Sequence, residues 1–174
     1  MARRWMLNLG AGCSLLLLTS ASAVEAQAPA ATPPTTLTIT GDVGKPLTLT
    51  AADLKAMPRQ KFEVKAEDGT PHVYEGVLAG ELLKRAGAPL GSDLRGNAIA
   101  SYVVASATDG YQAVFSLAEL DPAFTANDIM VADTIDGKPI PANQGPWRIV
   151  APKDSRASRS VRLLQRLEVV RLRK

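Results

Sequence analysis

The residue types best suited to chemistry lie in one stretch near the C-terminus, residues 145–162. This stretch joins a short apolar strand to a loop rich in serine and arginine. Its candidate binding residues are Arg148, Arg159, Ser160 and Arg162. A guanidinium group donates two parallel hydrogen bonds to a phosphate or carboxylate, and such charge-assisted bonds are about twice as strong as neutral ones. The stretch therefore predicts an anion-binding site. The alternative is that Arg148 forms a salt bridge that caps the core, while the loop arginines are solvated.

Other catalytic side chains are scarce. His72 is the only histidine and Cys13 the only cysteine. A histidine-based triad or a zinc site needs more such ligands than the chain provides, so a structural role is expected for His72. Acidic pairs such as Asp133 and Asp136 lie near predicted turns, where aspartate binds its own backbone. The sequence also contains no P-loop, dinucleotide-binding glycine motif or serine-hydrolase elbow.

The N-terminus has the pattern of a secretion signal. A basic pair, Arg3-Arg4, precedes an apolar run, and Ala21-Ser22-Ala23 matches a cleavage site. We therefore expect a signal peptide at 1–23, a disordered linker rich in Ala, Pro and Thr at 24–35, and a domain at 36–174. The apolar run is shorter than the about 20 residues of a membrane span, so no stable span is expected after cleavage.

This pattern predicts a periplasmic protein. The arginine pair loosely resembles a twin-arginine signal, but adjacent arginines are common in ordinary signals, which favours the general secretory route. Cys13 lies inside the apolar run and not after it, which argues against a lipoprotein. A chain cleaved after Ala23 has no cysteine. The mature protein is therefore expected to lack a disulfide, a thiolate nucleophile and a cysteine metal ligand.

Charge is distributed unevenly along the chain. Residues 148–174 hold nine Lys or Arg and two acidic residues, a net charge of +7, whereas residues 24–147 hold nine basic and fifteen acidic residues, a net charge of −6. A basic end on an acidic body attracts an anionic ligand or surface, although a solvated arginine face would give the same pattern. Nucleic acid is not an expected partner, because aromatic residues make up only 5% of the chain and export is inferred.

The elements that must position the site are short. Alternating or continuous apolar runs bounded by turn residues predict strands at 37–40, 47–49, 61–65, 72–75, 98–107, 111–115, 129–132 and 163–172. Short helices are predicted from Thr50 to Met57, from Val77 to Ala86, and after a capping box at Ser116. Many short strands with two or three short helices define an α+β domain with a mixed or mostly antiparallel sheet.

Five segments, taken in order, carry a resemblance to a known family. They are YEGV followed by LL and AG (74–87), DGY followed by SL (109–117), IMVA followed by DGKPI (129–140), GPWRIVAP (145–152), and SVR followed by LE (160–168). In order and spacing they resemble the molybdopterin-binding domain of the sulfite oxidase family. The resemblance implies that family's fold, with molybdopterin as the cofactor. It also implies that Arg148, Arg159, Ser160 and Arg162 hold the pterin phosphate.

The chain departs from the family at the metal. The resemblance places a molybdenum-binding cysteine ahead of the 77–86 helix, but residues 61–72 contain none. Asn143 and Gln144 stand near the position where the family often has a histidine. A thiolate is the soft ligand of molybdenum in this fold, so oxygen-atom transfer by the usual mechanism is not expected.

Three functional interpretations follow. The favoured one is an exported domain that binds a pterin-type or other anionic ligand, or a periplasmic protein partner, without cysteine–molybdenum catalysis. The second is a genuine molybdopterin-dependent oxidoreductase, or a subunit of one, with a non-cysteine metal ligand. The third is a periplasmic sensory or scaffold module. The sequence leaves open whether the protein is an enzyme, and also its substrate, redox partner and oligomeric state.

Overall fold

The computed structural model describes residues 36–172 with the exception of Glu67. The predicted signal peptide at 1–23 and linker at 24–35 lie outside the described residues. The strands are β1 Leu37–Gly41, β2 Leu47–Leu49, β3 Gln60–Lys65, β4 Pro71–Leu78, β5 Ser101–Ala107, β6 Gln112–Ser116, β7 Met130–Ile135, β8 Lys138–Pro139, β9 Arg148–Val150 and β10 Leu164–Arg171. The α-helices are α1 Ala51–Lys55 and α2 Ala79–Arg85. Four short 3₁₀ helices cover Gly91–Asp93, Gly96–Ala100, Ala118–Leu120 and Ala157–Arg159.

The strands form two sheets. The first has the order β2-β1-β10-β5-β6, in which β1 and β10 are parallel and the other pairs antiparallel. The second has the order β3-β4-β7-β8, with β9 also paired to β7, and all its pairs are antiparallel. The α+β class with mixed and antiparallel sheets is thus confirmed.

The main core consists of inward-facing residues from both sheets and from α2. Alternation along β1 and β10 buries Leu37, Ile39 and Leu167, while α2 contributes Leu82 and Leu83. A second, smaller cluster, which includes Tyr74, Met130 and Val150, lies on the other face of the second sheet. Both faces of that sheet therefore carry buried residues. Arg148, one of the predicted site residues, lies on the same face as the smaller cluster.

Two predicted boundaries were wrong. The helix predicted from Val77 begins only at Ala79, because Val77 and Leu78 pair with Val131 and Met130 as the end of β4. Residues 98–100, predicted as strand, belong to a 3₁₀ helix, and β5 begins at Ser101. In both cases sheet pairing and local turns override the apolar pattern.

Two capping predictions are confirmed. Thr50 and Asp53 form the reciprocal capping box that starts α1. Ser116 and Glu119 exchange equivalent bonds at the turn after β6. In the part of the chain that the structure describes, no helix is long and apolar enough to span a membrane.

Candidate anion-binding site

Arg148 is placed by β9 on the face of the second sheet that carries the smaller cluster. The register aligns Gly76, Ala132 and Arg148 in one row across β4, β7 and β9. A Cβ atom at Gly76 would lie 2.0 Å from the carbonyl oxygen of Val131, so this position requires glycine. The row therefore offers two small residues beside one long cationic side chain.

Arg148 is a buried cation without a carboxylate partner among the described residues. It is 7% exposed, and its Nη1 donates to the Tyr74 hydroxyl at 3.1 Å and to Gln144 Oε1 at 2.8 Å. The guanidinium carbon lies 5.0 Å from the centre of the Tyr74 ring, and the buried Nε has no hydrogen-bond partner within residues 36–172 as the structure describes them. Among the described residues, Arg148 therefore does not form the core-capping salt bridge that was the alternative interpretation.

The electrostatic environment of Arg148 favours an anion. Burial lowers the pKa of Arg148, and although its interaction with Tyr74 opposes this, the nearby charge of Arg162 lowers the pKa as well. Burial and the charge of Arg162 are the two effects that disfavour the charged form of the side chain. An anion close to the two guanidinium groups would offset this cost.

Arg159 has a different environment, because its fork is already bound to carboxylates. Its Nε and Nη2 donate to Asp154 at 2.8 and 2.7 Å, and its Nη1 donates to both oxygens of Glu119 at 3.0 Å. These bonds raise the pKa of Arg159. The guanidinium also stacks 4.9 Å from the centre of the Phe115 ring. Arg159 thus fastens the 153–160 loop to the turn after β6.

Ser160 and Arg162 are brought together on a surface cavity of about 310 Å³. The other lining residues are Asp109, Tyr111, Ala157 and Ser158. The Tyr111 hydroxyl donates to the Ser158 carbonyl, which ties the β5–β6 turn to the loop. Arg148 and Arg159 are not among the lining residues. The cavity therefore contains one cation, one carboxylate, hydroxyl groups and backbone from two loops.

Sequence reasoning missed four residues at this site. Tyr74 and Gln144 hold Arg148, while Asp109 and Tyr111 line the cavity. The DGY segment that supported the family resemblance was a signal for the last two. The bonds from Arg148 to Tyr74 and Gln144 depend on the register of β4 and β9, which no local pattern encodes.

Comparison with known families identifies the class of this two-sheet α+β protein as a molybdopterin-binding domain. The chain belongs to the oxidoreductase molybdopterin binding domain family, whose model matches residues 25–174. Among solved structures it is similar to the sulfane dehydrogenase SoxCD from Paracoccus pantotrophus, with a TM-score of 0.61 and 21% sequence identity. The match covers 77% of this chain and 37% of that chain, so this chain spans little more than a third of the dehydrogenase's length. No curated protein matches the sequence.

The described residues fit one half of the family's cofactor. Arg148, with its orphaned Nε, and the cavity at Ser160 and Arg162 suit a phosphate group. The molybdenum half does not fit, because β3 ends at Lys65 and is followed by Ala66, with no thiolate there. Among the described residues, no group of three or more His, Cys, Asp or Glu side chains is arranged to hold a metal ion. His72 Nδ1 is instead bound to Asp136 at 2.7 Å.

Proposed function

We propose that this protein binds an anionic, pterin-type ligand through its phosphate, without thiolate-bound molybdenum chemistry. The observation that carries the proposal is Arg148, a buried guanidinium that has no carboxylate partner among the described residues and has a second arginine, Arg162, nearby. A buried cation is costly unless it is paired, and a bound phosphate would pair it. In this proposal Ser160 and Arg162 contact the ligand directly, and Arg159 holds their loop in place.

Inorganic pyrophosphate is a suitable probe of this site. We expect it to raise the melting temperature of the wild-type protein and to bind in a calorimetric titration. Arg162→Gln should weaken that binding about tenfold or more, since a charge-assisted hydrogen bond contributes about 1.5–3 kcal/mol. Arg171→Gln is the matched control, because it removes the same charge at the far end of β10. Equal affinities for the wild type and Arg162→Gln would contradict the proposal.

Family membership favours a second candidate, a molybdopterin-dependent oxidoreductase with a non-cysteine metal ligand. Elemental analysis for molybdenum, combined with pterin fluorescence on protein purified from its native compartment, separates the two. The first proposal predicts less than stoichiometric molybdenum whether or not pterin is present. One molybdenum atom per chain would instead establish the oxidoreductase.

We also propose that the protein is exported to the periplasm, on the strength of the signal-like sequence at 1–23. N-terminal sequencing of the protein from its native host is the test. The expected first residue is Val24. Retention of Met1 or Ala2 in the mature protein would contradict export by signal cleavage.

A further inference from the structure

The outer face of the first sheet carries a row of hydrogen-bonding side chains that crosses four strands. The register aligns Thr38 with Arg166, Arg166 with Ser106, and Ser106 with Gln112. Cross-strand partners project from the same face of a sheet, so these side chains are neighbours. They line a groove of about 360 Å³, which we call the sheet groove. It shares only the β5–β6 turn with the cavity at Ser160 and Arg162.

An irregularity in the sheet shapes this groove. The pairing of β10 with β5 shifts between Leu164 and Arg166, which leaves Gln165 as an extra residue. Both Gln165 and Arg166 consequently line the groove. Bulges of this kind redirect side chains and are common beside binding sites.

The next row along the sheet has a different composition. It aligns Glu168 with Val104 and Val104 with Val114. The hydrogen-bonding row is therefore confined to one end of the sheet face, where the groove lies.

The lining of the sheet groove combines neutral hydrogen-bonding groups with one cation. Ser106 is 7% exposed, and its Oγ accepts a bond from Gln112 Nε2 at 3.1 Å. Arg166 Nε lies 3.8 Å from Glu168 Oε2, which is beyond hydrogen-bond distance. No carboxylate is among the lining residues. Hydroxyl and amide groups both donate and accept, as sugar hydroxyls require, while a guanidinium matches a single carboxylate.

We propose that the sheet groove binds a small hydroxylated carboxylate, such as a sugar acid. The carboxylate pairs with Arg166, and the ligand hydroxyls bond to Thr38, Ser106 and the amides of Gln112 and Gln165. The volume of the groove suits a ligand of this size. This site is independent of the anion site proposed above.

The test is a calorimetric titration of the full chain with galacturonate, with galactose and acetate as matched ligands. Galactose has the hydroxyls without the carboxylate, and acetate has the carboxylate without the hydroxyls. We expect galacturonate to bind about tenfold or more tightly than either, since both sets of contacts are needed. Arg166→Gln should remove about tenfold of the galacturonate affinity, and Ser106→Ala a smaller part. Arg171→Gln on the same strand, and Arg162→Gln at the other site, should leave it unchanged.

Other outcomes overturn the proposal. Galactose binding as tightly as galacturonate would show that the charge of Arg166 is not used. Undiminished galacturonate binding by Arg166→Gln would place the ligand elsewhere, as would amide chemical-shift changes confined to Tyr111, Ser160 and Arg162. Absence of binding at millimolar ligand would eliminate the site. Failure of pyrophosphate to bind would not affect the test of the sheet groove, because the groove is lined by Arg166 and the cavity of the proposed anion site by Arg162.

Discussion

At the scale of single residues, Arg148 is the position where the proposed function conflicts with stability. It is a buried cation whose two hydrogen bonds go to neutral groups, Tyr74 and Gln144. Replacing a buried charge with an apolar side chain of similar length is often neutral or stabilising. We expect Arg148→Met to change the free energy of unfolding of the ligand-free protein by less than about 1 kcal/mol, as measured by chemical denaturation. The same variant should lose the rise in melting temperature caused by pyrophosphate.

The opposite outcome has a clear meaning. If Arg148→Met were destabilised by about 3 kcal/mol or more, Arg148 would be a structural residue whose loss leaves buried partners unsatisfied. Arg148→Lys is a useful companion variant. Lysine retains the charge but cannot donate the two parallel hydrogen bonds of a guanidinium group, so this variant should bind pyrophosphate more weakly than the wild type.

Residues 148 and 159 illustrate what residue type alone can establish. Both arginines were predicted from the sequence as anion ligands. Anion binding remains a proposal for Arg148, whereas the role proposed for Arg159 is to hold the loop in place. The structure places one beside neutral groups and the other between Asp154 and Glu119. Asp154 is close in sequence, but Glu119 lies 40 positions away. The residue types therefore predicted the chemistry, whereas the partners were assigned by the fold. The register of β4 and β9 gives Arg148 its neutral partners, and the packing of the loop against the turn after β6 brings Glu119 to Arg159.

At the scale of elements, Arg159 joins the 153–160 loop to the turn after β6. Its two carboxylate partners and its stacking on Phe115 form a single clamp. We expect Arg159→Gln to lower the free energy of unfolding by about 1 kcal/mol, since the network is partly exposed, and to speed amide hydrogen exchange in the loop. Arg156→Gln, in the same loop, is the control. Equal exchange rates in the two variants would show that the clamp does not order the loop.

Gly76 fixes the geometry of β4 against β7. A shift in the pairing register lies between Glu75 and Gly76, and a Cβ atom at Gly76 would collide with the backbone of β7. We expect Gly76→Ala to lower the free energy of unfolding by about 2–4 kcal/mol, because the neighbouring atoms are backbone and cannot move aside. Gly44→Ala is the control, since its nearest contact would be an ordinary 3.6 Å. A melting temperature for Gly76→Ala close to that of the control would show that β4 and β7 can move apart at this point.

The helices, strands and turns that could be predicted from the sequence are those determined by neighbouring residues. The capping boxes at Thr50 and Ser116 and the Asp136-Gly137 turn, with φ of 50° and 75°, follow from neighbouring residues alone. The start of α2 was not predictable, because the apolar residues of the YEGVLAGELL segment fit both the two-residue period of a strand and the 3.6-residue period of a helix. Pairing with β7 keeps Val77 and Leu78 in the strand, and β7 lies about fifty positions later in the chain.

At the scale of the whole molecule, the basic C-terminal part and the acidic body are partly paired with each other. Lys153 lies 3.0 Å from Asp128, and Arg171 and Arg159 pair with Asp42 and Glu119. The excess of positive charge read from the sequence is thus partly neutralised in the fold. The positive charge proposed to bind an anion is local, at Arg148 and Arg162. Anion affinity should therefore depend on salt as it does for a small site, and not as it does for an extended basic surface.

A different set of carboxyl groups determines how stability responds to acid. Five carboxyl groups have lowered pKa values: Asp53, Asp68, Glu75, Asp133 and Asp136. Burial is the largest single influence on the pKa of Asp133 and raises it, but the hydrogen bonds from Arg59, at 2.6 and 3.1 Å, and from Thr134 outweigh it together with the nearby positive charges of Arg59 and Lys55. A carboxyl group with a lowered pKa in the folded state stabilises the protein fully above its unfolded pKa. That stabilisation is lost as the pH falls through the folded value.

The free energy of unfolding should therefore be constant from about pH 7 to about pH 5 and should decrease below about pH 4. Urea denaturation followed across this range is the measurement. Asp133→Asn should make the decrease shallower, because one of the linked protons is removed, and should lower stability at neutral pH, because Arg59 loses a partner. Asp93→Asn, at an exposed 3₁₀ turn, should leave both the plateau and the slope unchanged. A decrease that begins near pH 6 would contradict the assignment of the acid response to these carboxyl groups.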